Sequence, residues 1–323
     1  MENITYSLIV PVYENEETIK DTLIQVSEIS EKLKNTLEVV FVVDGGKDRS
    51  FLLLQDALDN LQIPCQLIVH SKNFGSMHSV RSGLQEAVGK YFCIMAADLQ
   101  EPKELIISIF QSLELNECDV ALGLRESRND PFFSKCFAIL FWWIYKKFIM
   151  KDMPRGGVDI FGCNFKFRNQ LLKFQESRSS LISLIFWLGY KRKFLPYNRL
   201  KRKEGKSQWS FKKKIDYMLD SVFSFTDYPI AIIRNIGLIG CIISLVLSFF
   251  VVKGYLNGEI PVRGYATNIL MVLFFGSLNI FGIGLVGTYA WRAYENTKNR
   301  PLSIIDQIYK KNYKTNDEKK IIK

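Results

Sequence analysis

Short runs of apolar, often β-branched residues alternate with longer, more polar stretches along the first half of the chain. The short runs have the length and composition of β-strands, and the stretches between them are compatible with helices. The predicted strands are Tyr6–Val10, Leu37–Val43, Cys65–His70, Tyr91–Ala96 and Asp119–Gly123. The predicted helices are Glu16–Lys34, Ser50–Leu61, Met77–Val88 and Pro102–Asn116. Strands joined by helical crossovers predict an α/β fold with a mostly parallel sheet flanked by helices on both faces.

Polar residues collect where the predicted strands end. The segments Pro11–Asn15, Asp44–Asp48, Ser71–Gly75 and Ala97–Pro102 each follow one of the first four strands. Ligands of parallel α/β sheets bind beyond the carboxyl ends of the strands. We therefore expect these four segments to meet at one edge of the sheet and to form a binding site there.

Two long apolar runs, Ile230–Val252 and Ile269–Trp291, distinguish the C-terminal third of the chain. Each contains the roughly 20 apolar residues that a helix needs to cross a hydrocarbon core, so we predict two C-terminal transmembrane helices. The connecting loop, Lys253–Asn268, has few charges, whereas both flanks are rich in Lys and Arg. The positive-inside rule then places the sheet domain and both termini in the cytoplasm. This predicts a multi-pass protein of the inner (cytoplasmic) membrane.

A different kind of segment, Phe132–Met150, combines a high aromatic content with interspersed lysines. This combination suits the headgroup layer, where aromatic and lysine side chains anchor a helix. The alternative is an ordinary buried helix. Leu181–Tyr190 is interpreted in the same way, and Phe211–Phe225 is predicted to lie on the membrane surface ahead of the first span.

The net charge of +10 is unevenly distributed. Between Lys191 and Lys214, eleven Lys and Arg residues stand against one acid, Glu204. Such a run can be a solvated face, a nucleic-acid surface, or a surface for anionic headgroups or a lipid phosphate. Because the run lies just upstream of an apolar span and no nucleic-acid-binding signature is present, we favour membrane lipids and expect no nucleic-acid partner.

Cysteine and histidine usage narrows the chemistry. The six cysteines form no Cys-x-x-Cys pair, which favours reduced, packed thiols over a disulfide frame or a zinc site. His70 and His78 are the only histidines, so a histidine-rich metal site is excluded. Asp98, directly beyond a buried strand, is well placed to hold Mg²⁺ or Mn²⁺ against a diphosphate. The alternative is that the acids around Pro102 merely favour a helix N-terminus.

Four ordered segments carry a family resemblance. Val10–Glu17, Glu38–Ser50, Ser71–Gly83 and Ile94–Glu104 resemble the motifs of the family 2 glycosyltransferases with the GT-A fold, and the likeness extends to about residue 292. Within that family the chain is most similar to the polyprenyl-phosphate glycosyltransferases. That branch includes dolichyl-phosphate mannose synthase and bacterial undecaprenyl-phosphate sugar transferases. The resemblance implies a GT-A-type sheet domain, interfacial amphipathic helices and two transmembrane helices.

The resemblance also implies roles for individual residues. A nucleotide sugar would be bound by Pro11, Tyr13, Asp44, Lys72, Asn73, Gly75, Asp98 and Gln100. A divalent metal, Mg²⁺ or Mn²⁺, would be held by Asp98 and Gln100. The acceptor phosphate would be bound by Arg125, Arg128, Arg202 and Ser207, since guanidinium groups match phosphate oxygens. The residues at the reacting centre would be Asp98, Arg125 and Asp159.

Several positions depart from the family pattern. Ala96 and Val43 stand where the family usually has the first acid of its Asp-x-Asp and Asp-Asp-Gly motifs. The usual Asn-Glu is here Glu14-Asn15, and Gln208 replaces a lysine of the acceptor loop. Without an acid at position 96, metal binding is either weakened or shifted onto Gln100, the diphosphate and water.

The predicted reaction is inverting transfer of a hexose-type sugar from a nucleotide sugar, UDP in preference to GDP, to a membrane polyprenyl (undecaprenyl) monophosphate. The product would serve cell-envelope glycan modification. A phosphate monoester is largely dianionic at neutral pH and needs no strong general base. Two alternatives stay open. One is a polysaccharide synthase acting on a glycan, although the Gln-x-x-Arg-Trp motif is absent. The other is a glycosyltransferase-like membrane scaffold without activity.

The predicted domain order follows from these features. Residues 1–210 form a cytosolic GT-A glycosyltransferase domain with a membrane-interface helix at 132–150, and residues 211–229 form a juxtamembrane helix. Residues 230–291 form the two-helix transmembrane region, and residues 292–323 form a basic cytosolic tail. The glycine-rich spans, together with the resemblance, imply a homo-oligomer.

Overall fold

The computed structural model describes residues 4–125 apart from 35 and 59, residues 158–176, 180–200, 264–298 and 300–313, and isolated positions between 152 and 257. The strands are β1 (Tyr6–Val12), β2 (Leu37–Val43), β3 (Cys65–His70), β4 (Tyr91–Ile94), β5 (Val120–Arg125), β6 (Val158–Asn164), β7 (Arg192–Tyr197) and β8 (Ile305–Lys311). The helices are α1 (Ile19–Lys32), α2 (Ser50–Leu58), α3 (Ser76–Glu86), α4 (Lys103–Glu114), α5 (Phe165–Leu171), α6 (Leu181–Trp187) and α7 (Tyr265–Thr297).

The described strands form one eight-stranded sheet in the order β7-β5-β6-β4-β1-β2-β3-β8. β1 pairs in parallel with β2 and β4, and β2 pairs in parallel with β3, so the first four strands run in one direction. β6 lies antiparallel between β4 and β5, and β7 is parallel to β5. The predicted α/β fold with a mostly parallel sheet is therefore confirmed.

Helices cover both faces of this sheet. Successive side chains of a strand point to opposite faces, so Leu8 and Val10 of β1 pack with α1, α2 and α4, whereas Ile9 packs with α3, α5 and α6. All seven residues of β2 are buried. A strand covered on both faces is apolar almost throughout, which is why the sequence pattern located β2 so clearly.

The sequence pattern predicts neither β6 nor β7. β7 occupies the beginning of the basic run and forms one edge of the sheet. Its Lys193 ammonium lies 2.5 Å from the Glu117 carboxylate, and Arg192 bonds Asp152 at 3.1 Å. Lys and Arg are common on edge strands, where they block pairing with another chain. Because β7 contains these charged residues, a search for apolar runs in the sequence does not detect it as a strand.

The predicted interface segment Leu181–Tyr190 packs into the core instead. α6 begins after Ser180, whose side chain accepts a hydrogen bond from the Ser183 amide at 3.3 Å. Every side chain from Leu181 to Phe186 is buried against the sheet, so this part of the interface prediction is corrected. The predicted interface helix 132–150 lies outside the described residues, as does nearly all of the juxtamembrane helix 211–229.

α7 covers the second predicted apolar span with one continuous helix of 33 residues. Within the ranges that the structure describes, no helix meets the combined requirement of length and apolarity for crossing a membrane. The first predicted span, Ile230–Val252, lies mostly outside the described residues. The two transmembrane helices therefore stay a prediction from the sequence.

The chain after α7 returns to the sheet, where the sequence predicts only a basic tail over residues 292–323. β8 pairs antiparallel with β3, and Leu67 lies opposite Tyr309. The Tyr309 ring packs 6.0 Å from the Phe51 ring of α2. This strand covers the edge that β3 would otherwise expose to pairing with another chain.

A buried carboxylate fastens the residues after β8 to the sheet. Glu38, the second residue of β2, is fully buried and accepts hydrogen bonds from Ser7 Oγ at 2.5 Å and the Val88 amide at 2.6 Å. Its other oxygen accepts from Tyr313 Oη and from Gln66 Nε2. A buried charge is tolerated only when hydrogen bonds replace its lost hydration. The C-terminal segment therefore supplies part of the solvation of Glu38.

We expect Tyr313→Phe to lower the free energy of unfolding by about 1–3 kcal/mol, because Glu38 stays buried and loses a donor. Tyr309→Phe is the matched control, since its hydroxyl bonds the exposed Gln307 side chain. Thermal unfolding of the full chain in detergent measures both variants. Equal midpoints for the two variants would contradict this account of the C-terminal segment.

Candidate active site

The loops that follow the first four strands lie at one edge of the sheet, as expected from the parallel pairing. β5 runs in the same direction as β4, because β6 is antiparallel to both. Arg125, at the end of β5, therefore reaches the same edge. β7 is parallel to β5 and ends at Tyr197, so the residues that follow β7 also begin there.

Most of the predicted site residues meet at this edge. They are Pro11, Tyr13, Asp44, Lys72, Asn73, Gly75, Asp98, Gln100 and Arg125, with Asp159 at the start of β6. Arg128, Arg202 and Ser207 lie outside the described residues. The structure thus describes the part of the site that is formed by the strand ends and the loops after them. The roles assigned to all of the predicted site residues stay predictions.

Asp44 organises the loop after β3. It is 2% exposed, and its Oδ1 lies 2.8 Å from His70 Nδ1 and accepts the Phe74 amide at 2.9 Å. Its Oδ2 accepts the Gly75 amide at 2.7 Å. Burial raises the pKa of the Asp44 carboxyl, but the bonds from His70 and the two amides outweigh it, so the pKa lies below its ordinary value. Asp44 is therefore ionised and shapes the Lys72–Gly75 loop.

Two glycines shape the loops after β2 and β3, one through a close approach of backbones and both through a positive φ. A Cβ on Gly45 would lie 2.3 Å from the carbonyl carbon of Lys72, and Gly45 has a φ of +63°. Gly75 has a φ of +98° just before α3. Glycine adopts such backbone angles at the lowest steric cost. The backbones of the loops after β2 and β3 are therefore in contact next to Asp44, which accepts hydrogen bonds from the Phe74 and Gly75 amides.

The loops after β1 and β2 are joined by reciprocal hydrogen bonds. The Asn15 amide donates to Ser50 Oγ at 3.0 Å, and the Glu16 amide donates to Asp48 Oδ2 at 3.0 Å. In return, the Arg49 amide donates to Glu16 Oε2 at 2.8 Å. These bonds satisfy amides that leave the strand ladder. They hold Tyr13 and its neighbours against the start of α2.

Asp98 lies in a tight turn beyond β4. Leu99 is buried with a φ of +57°, and the Gln100 amide lies 3.4 Å from Asp98 Oδ1. Thr18 Oγ1 donates to the Ala97 carbonyl at 2.7 Å, which fixes the start of the turn against α1. The left-handed residue turns the chain sharply, so that the backbone holds Asp98 at the sheet edge.

Gln100 joins this turn to the residues that follow β7. Its Oε1 accepts a hydrogen bond from Arg199 Nη2 at 2.6 Å, and its Nε2 donates to the Leu200 carbonyl at 3.3 Å. The Leu200 amide donates to the Gln100 carbonyl at 3.0 Å. We call these three contacts the Gln100 clasp. The clasp brings Arg199, a cation within the basic run, directly beside the Asp98 turn.

Of the two residues predicted to hold a metal ion at this edge, Asp98 is the one with a carboxylate. Ala96 supplies no ligand, and Gln100 Oε1 already accepts from Arg199. The described part of the chain contains no group of three or more His, Cys, Asp or Glu side chains placed around one ion. Mg²⁺ typically takes one or two carboxylates together with substrate phosphates and water. Asp98 and Gln100, the two residues predicted to hold the ion, both lie in the Asp98 turn, and their role at a metal ion stays a prediction.

Two residues at this edge were not singled out by sequence reasoning as site residues. His70 appears in the sequence only as one of two histidines, and Arg199 as one cation among eleven in the basic run. Neither carries a motif that distinguishes it locally. Lys72 adds a further cation, with its ammonium 5.1 Å from the Phe74 ring centroid. Lys72, Arg125 and Arg199 bring three cations to this edge, where phosphate groups could pair with them.

Comparison with known proteins identifies relatives over nearly the whole chain. A glycosyltransferase of Synechocystis sp. is 28% identical over 308 residues, which cover 95% of this chain and 96% of that protein. The SfII prophage-derived bactoprenol glucosyl transferase of Shigella flexneri is 28% identical over 309 residues, covering 95% and 99%. The solved structure of the mannosyltransferase PcManGT from Pyrobaculum calidifontis, in complex with GDP-Man and Mn²⁺, aligns over 88% of both chains with 14% identity and a TM-score of 0.45.

The family model described as Glycosyl transferase family 2 matches residues 7–174. This match includes the loops after β1, β2, β3 and β4, the end of β5 and the start of β6. It therefore contains the strand-end half of the candidate site, while Arg199 lies beyond it. Because the match spans more than half of the 323 residues, the chain belongs to glycosyl transferase family 2 and is a glycosyltransferase.

Proposed function

We propose that the protein transfers a hexose-type sugar, with inversion, from a nucleotide sugar to a membrane polyprenyl monophosphate. A UDP-sugar is the favoured donor and undecaprenyl phosphate the favoured acceptor. The observation that carries the proposal is the Gln100 clasp, which holds Arg199 of the basic run beside the Asp98 turn. The negative charges of a phosphate acceptor and a diphosphate donor must both be neutralised at the reacting centre. Lys72 and Arg125 at the strand ends and Arg199 of the basic run supply cations at this edge.

The names of the relatives support the acceptor. The Shigella flexneri protein is a bactoprenol glucosyl transferase, and it aligns with 95% of this chain. The alignment therefore extends through the basic run and the apolar segments beyond it. A lipid phosphate as acceptor accounts for both features. The basic run would bind its phosphate group, and the apolar segments would contact its hydrocarbon chain. The sugar itself is proposed only as a hexose.

The proposed reaction is one displacement at the anomeric carbon. An oxygen of the dianionic acceptor phosphate forms the new bond, and the bond to the nucleoside diphosphate breaks as that group leaves with its electron pair. Such a nucleophile needs no strong base. Arg125 and Arg202 are proposed to hold the acceptor phosphate, because guanidinium forks match phosphate oxygens. Arg128 and Ser207 are proposed to assist them, and Asp159 is proposed to orient the acceptor.

On the donor side, Tyr13 and Pro11 are proposed to contact the nucleoside. Lys72, Asn73 and Gly75 are proposed to lie along the diphosphate. Asp44 is proposed to act at the donor through the loop amides that it binds. A divalent ion, Mg²⁺ or Mn²⁺, bound between Asp98 and the diphosphate would neutralise charge on the departing group.

We propose that the chain is anchored in the cytoplasmic membrane by two helices, with the catalytic domain and both termini on the cytoplasmic side. The apolar runs and their basic flanks support this arrangement. The pairing of β8 with β3 supports an even number of crossings, because a strand that follows α7 shares a sheet with strands that precede both runs. The glycine-rich runs support a homo-oligomer.

Transfer from radiolabelled UDP- and GDP-sugars to undecaprenyl phosphate in detergent, with and without Mg²⁺ or Mn²⁺, tests the proposal. We expect one donor to give an organic-extractable product, and metal to increase its rate. Product formed only on a glycan acceptor would favour the polysaccharide synthase. No product from any donor, with the chain folded, would favour the inactive scaffold.

We expect Asp98→Asn to reduce transfer by about 10²-fold or more, the usual effect of removing one charge-stabilising group. The substitution keeps the shape of the side chain and removes its charge. Asp56→Asn, on the exposed face of α2, is the matched control. Initial rates at saturating donor and acceptor measure both variants. Wild-type rates in Asp98→Asn would exclude Asp98 from the site.

A further inference from the structure

A chain of hydrogen bonds connects Asp44 to the segment between α7 and β8. His70 Nδ1 lies 2.8 Å from Asp44 Oδ1, and His70 Nε2 lies 2.9 Å from Ser82 Oγ of α3. Ser82 Oγ lies 2.8 Å from Ser303 Oγ. Asp44, His70 and Ser82 are each no more than 3% exposed. We call these four side chains the Ser303 relay.

The carboxylate end of the relay fixes the direction of its first hydrogen bond. The Asp44 carboxylate only accepts, so His70 Nδ1 carries the proton that faces it. Ser82 Oγ bonds both His70 Nε2 and Ser303 Oγ, and the protonation of the imidazole sets the direction of these two bonds. Carboxylate, imidazole and hydroxyl stand in the order found in serine hydrolases. Ser82 is buried and is occupied by both neighbours, so its role is structural and not nucleophilic.

Ser303 enters the relay from a distant part of the chain. It follows the end of α7 at Thr297 and precedes β8, which begins at Ile305. The next residue, Ile304, accepts the Ser71 amide through its carbonyl at 3.0 Å. Two adjacent residues, Ser303 and Ile304, therefore contact α3 and the loop after β3. The docking of this segment is connected by direct hydrogen bonds to the loop that Asp44 shapes.

The far end of the relay is the donor loop. Asp44 binds the Phe74 and Gly75 amides at 2.9 and 2.7 Å, and Gly75 precedes the first turn of α3. Ser82 belongs to the same helix. The relay therefore holds the loop and the helix that follows it against one carboxylate. A rotation of the His70 ring would break its hydrogen bond to Asp44 and its hydrogen bond to Ser82 together.

We infer that the Ser303 relay positions the Lys72–Gly75 loop for nucleotide-sugar binding, so that donor affinity depends on the docked segment between α7 and β8. This inference rests on the proposed function, which places the nucleotide sugar at that loop. Ser303, Ser82 and His70 are positioning residues, since they act through Asp44 and the loop amides. The segment that attaches α7 to the catalytic sheet thereby contributes to the donor site.

Ser303→Ala tests the relay in the full chain in detergent, with Ser27→Ala as the matched control. Ser27 loses only a hydroxyl bond to the Leu23 carbonyl of its own helix. We expect hydrogen–deuterium exchange of the peptide containing Phe74 and Gly75 to become about three- to tenfold faster in Ser303→Ala, the factor typical of one lost hydrogen bond. Exchange in Ser27→Ala should match the wild type there.

The same variants separate a positioning role from a general loss of stability. We expect the donor KM, and the Kd of UDP or GDP by calorimetry, to rise about three- to tenfold in Ser303→Ala while kcat stays within twofold. Ser303→Thr keeps the hydroxyl and should restore both values. Ser82→Ala should reproduce the effect of Ser303→Ala.

Unchanged exchange and an unchanged donor KM in Ser303→Ala would overturn the inference. A fall in kcat with no change in donor KM would overturn it as well, since the relay would then act elsewhere. If the wild-type chain binds neither nucleotide, the proposed function fails. The exchange measurement still decides whether the relay holds the Phe74 and Gly75 amides.

Discussion

The shared direction of the first four strands is the constraint on which this molecule depends. Parallel pairing of β1 with β2 and β4, and of β2 with β3, brings four chain reversals to one edge. The amides in those reversals have left the strand ladder and must find other partners. Asp44 and Asp48 supply them. Hydrogen bonds to these two carboxylates therefore fix the loops at this edge and position the side chains that the loops carry.

Three side chains of the C-terminal half of the chain, among other contacts, bond residues of the N-terminal half. Arg199 bonds Gln100 at the Asp98 turn, Ser303 bonds Ser82 of α3, and Tyr313 bonds Glu38 at the other end of the strands. The family match ends at residue 174, so all three partners lie beyond it. Residues outside the shared domain thus complete both ends of the sheet.

Several elements were predictable because their signals are local. The strands β1 to β5 are largely apolar and buried on both faces. A helix separates each of them from the next, so the apolar pattern of the sequence located all five. β7 and β8 carry several charged residues, the apolar residues of β6 are interrupted by an acid and a glycine, and all three strands pair with strands distant in sequence. α6 shows the same limit. Its apolar residues suit a membrane interface and a protein core equally well, and only packing against the sheet separates the two.

The sequence by itself determined the α/β class, the edge at which the site lies and the membership of glycosyl transferase family 2. Periodicity, strand ends and motif order are properties of contiguous residues. Only the tertiary structure decided that Asp44 is buried and bonded to His70 and Gly75, 26 and 31 residues away. It also decided that Gln100 is held by Arg199, 99 residues away. The physical reason is that a hydrogen bond needs a donor and an acceptor about 3 Å apart, and strand order and register set which residues meet.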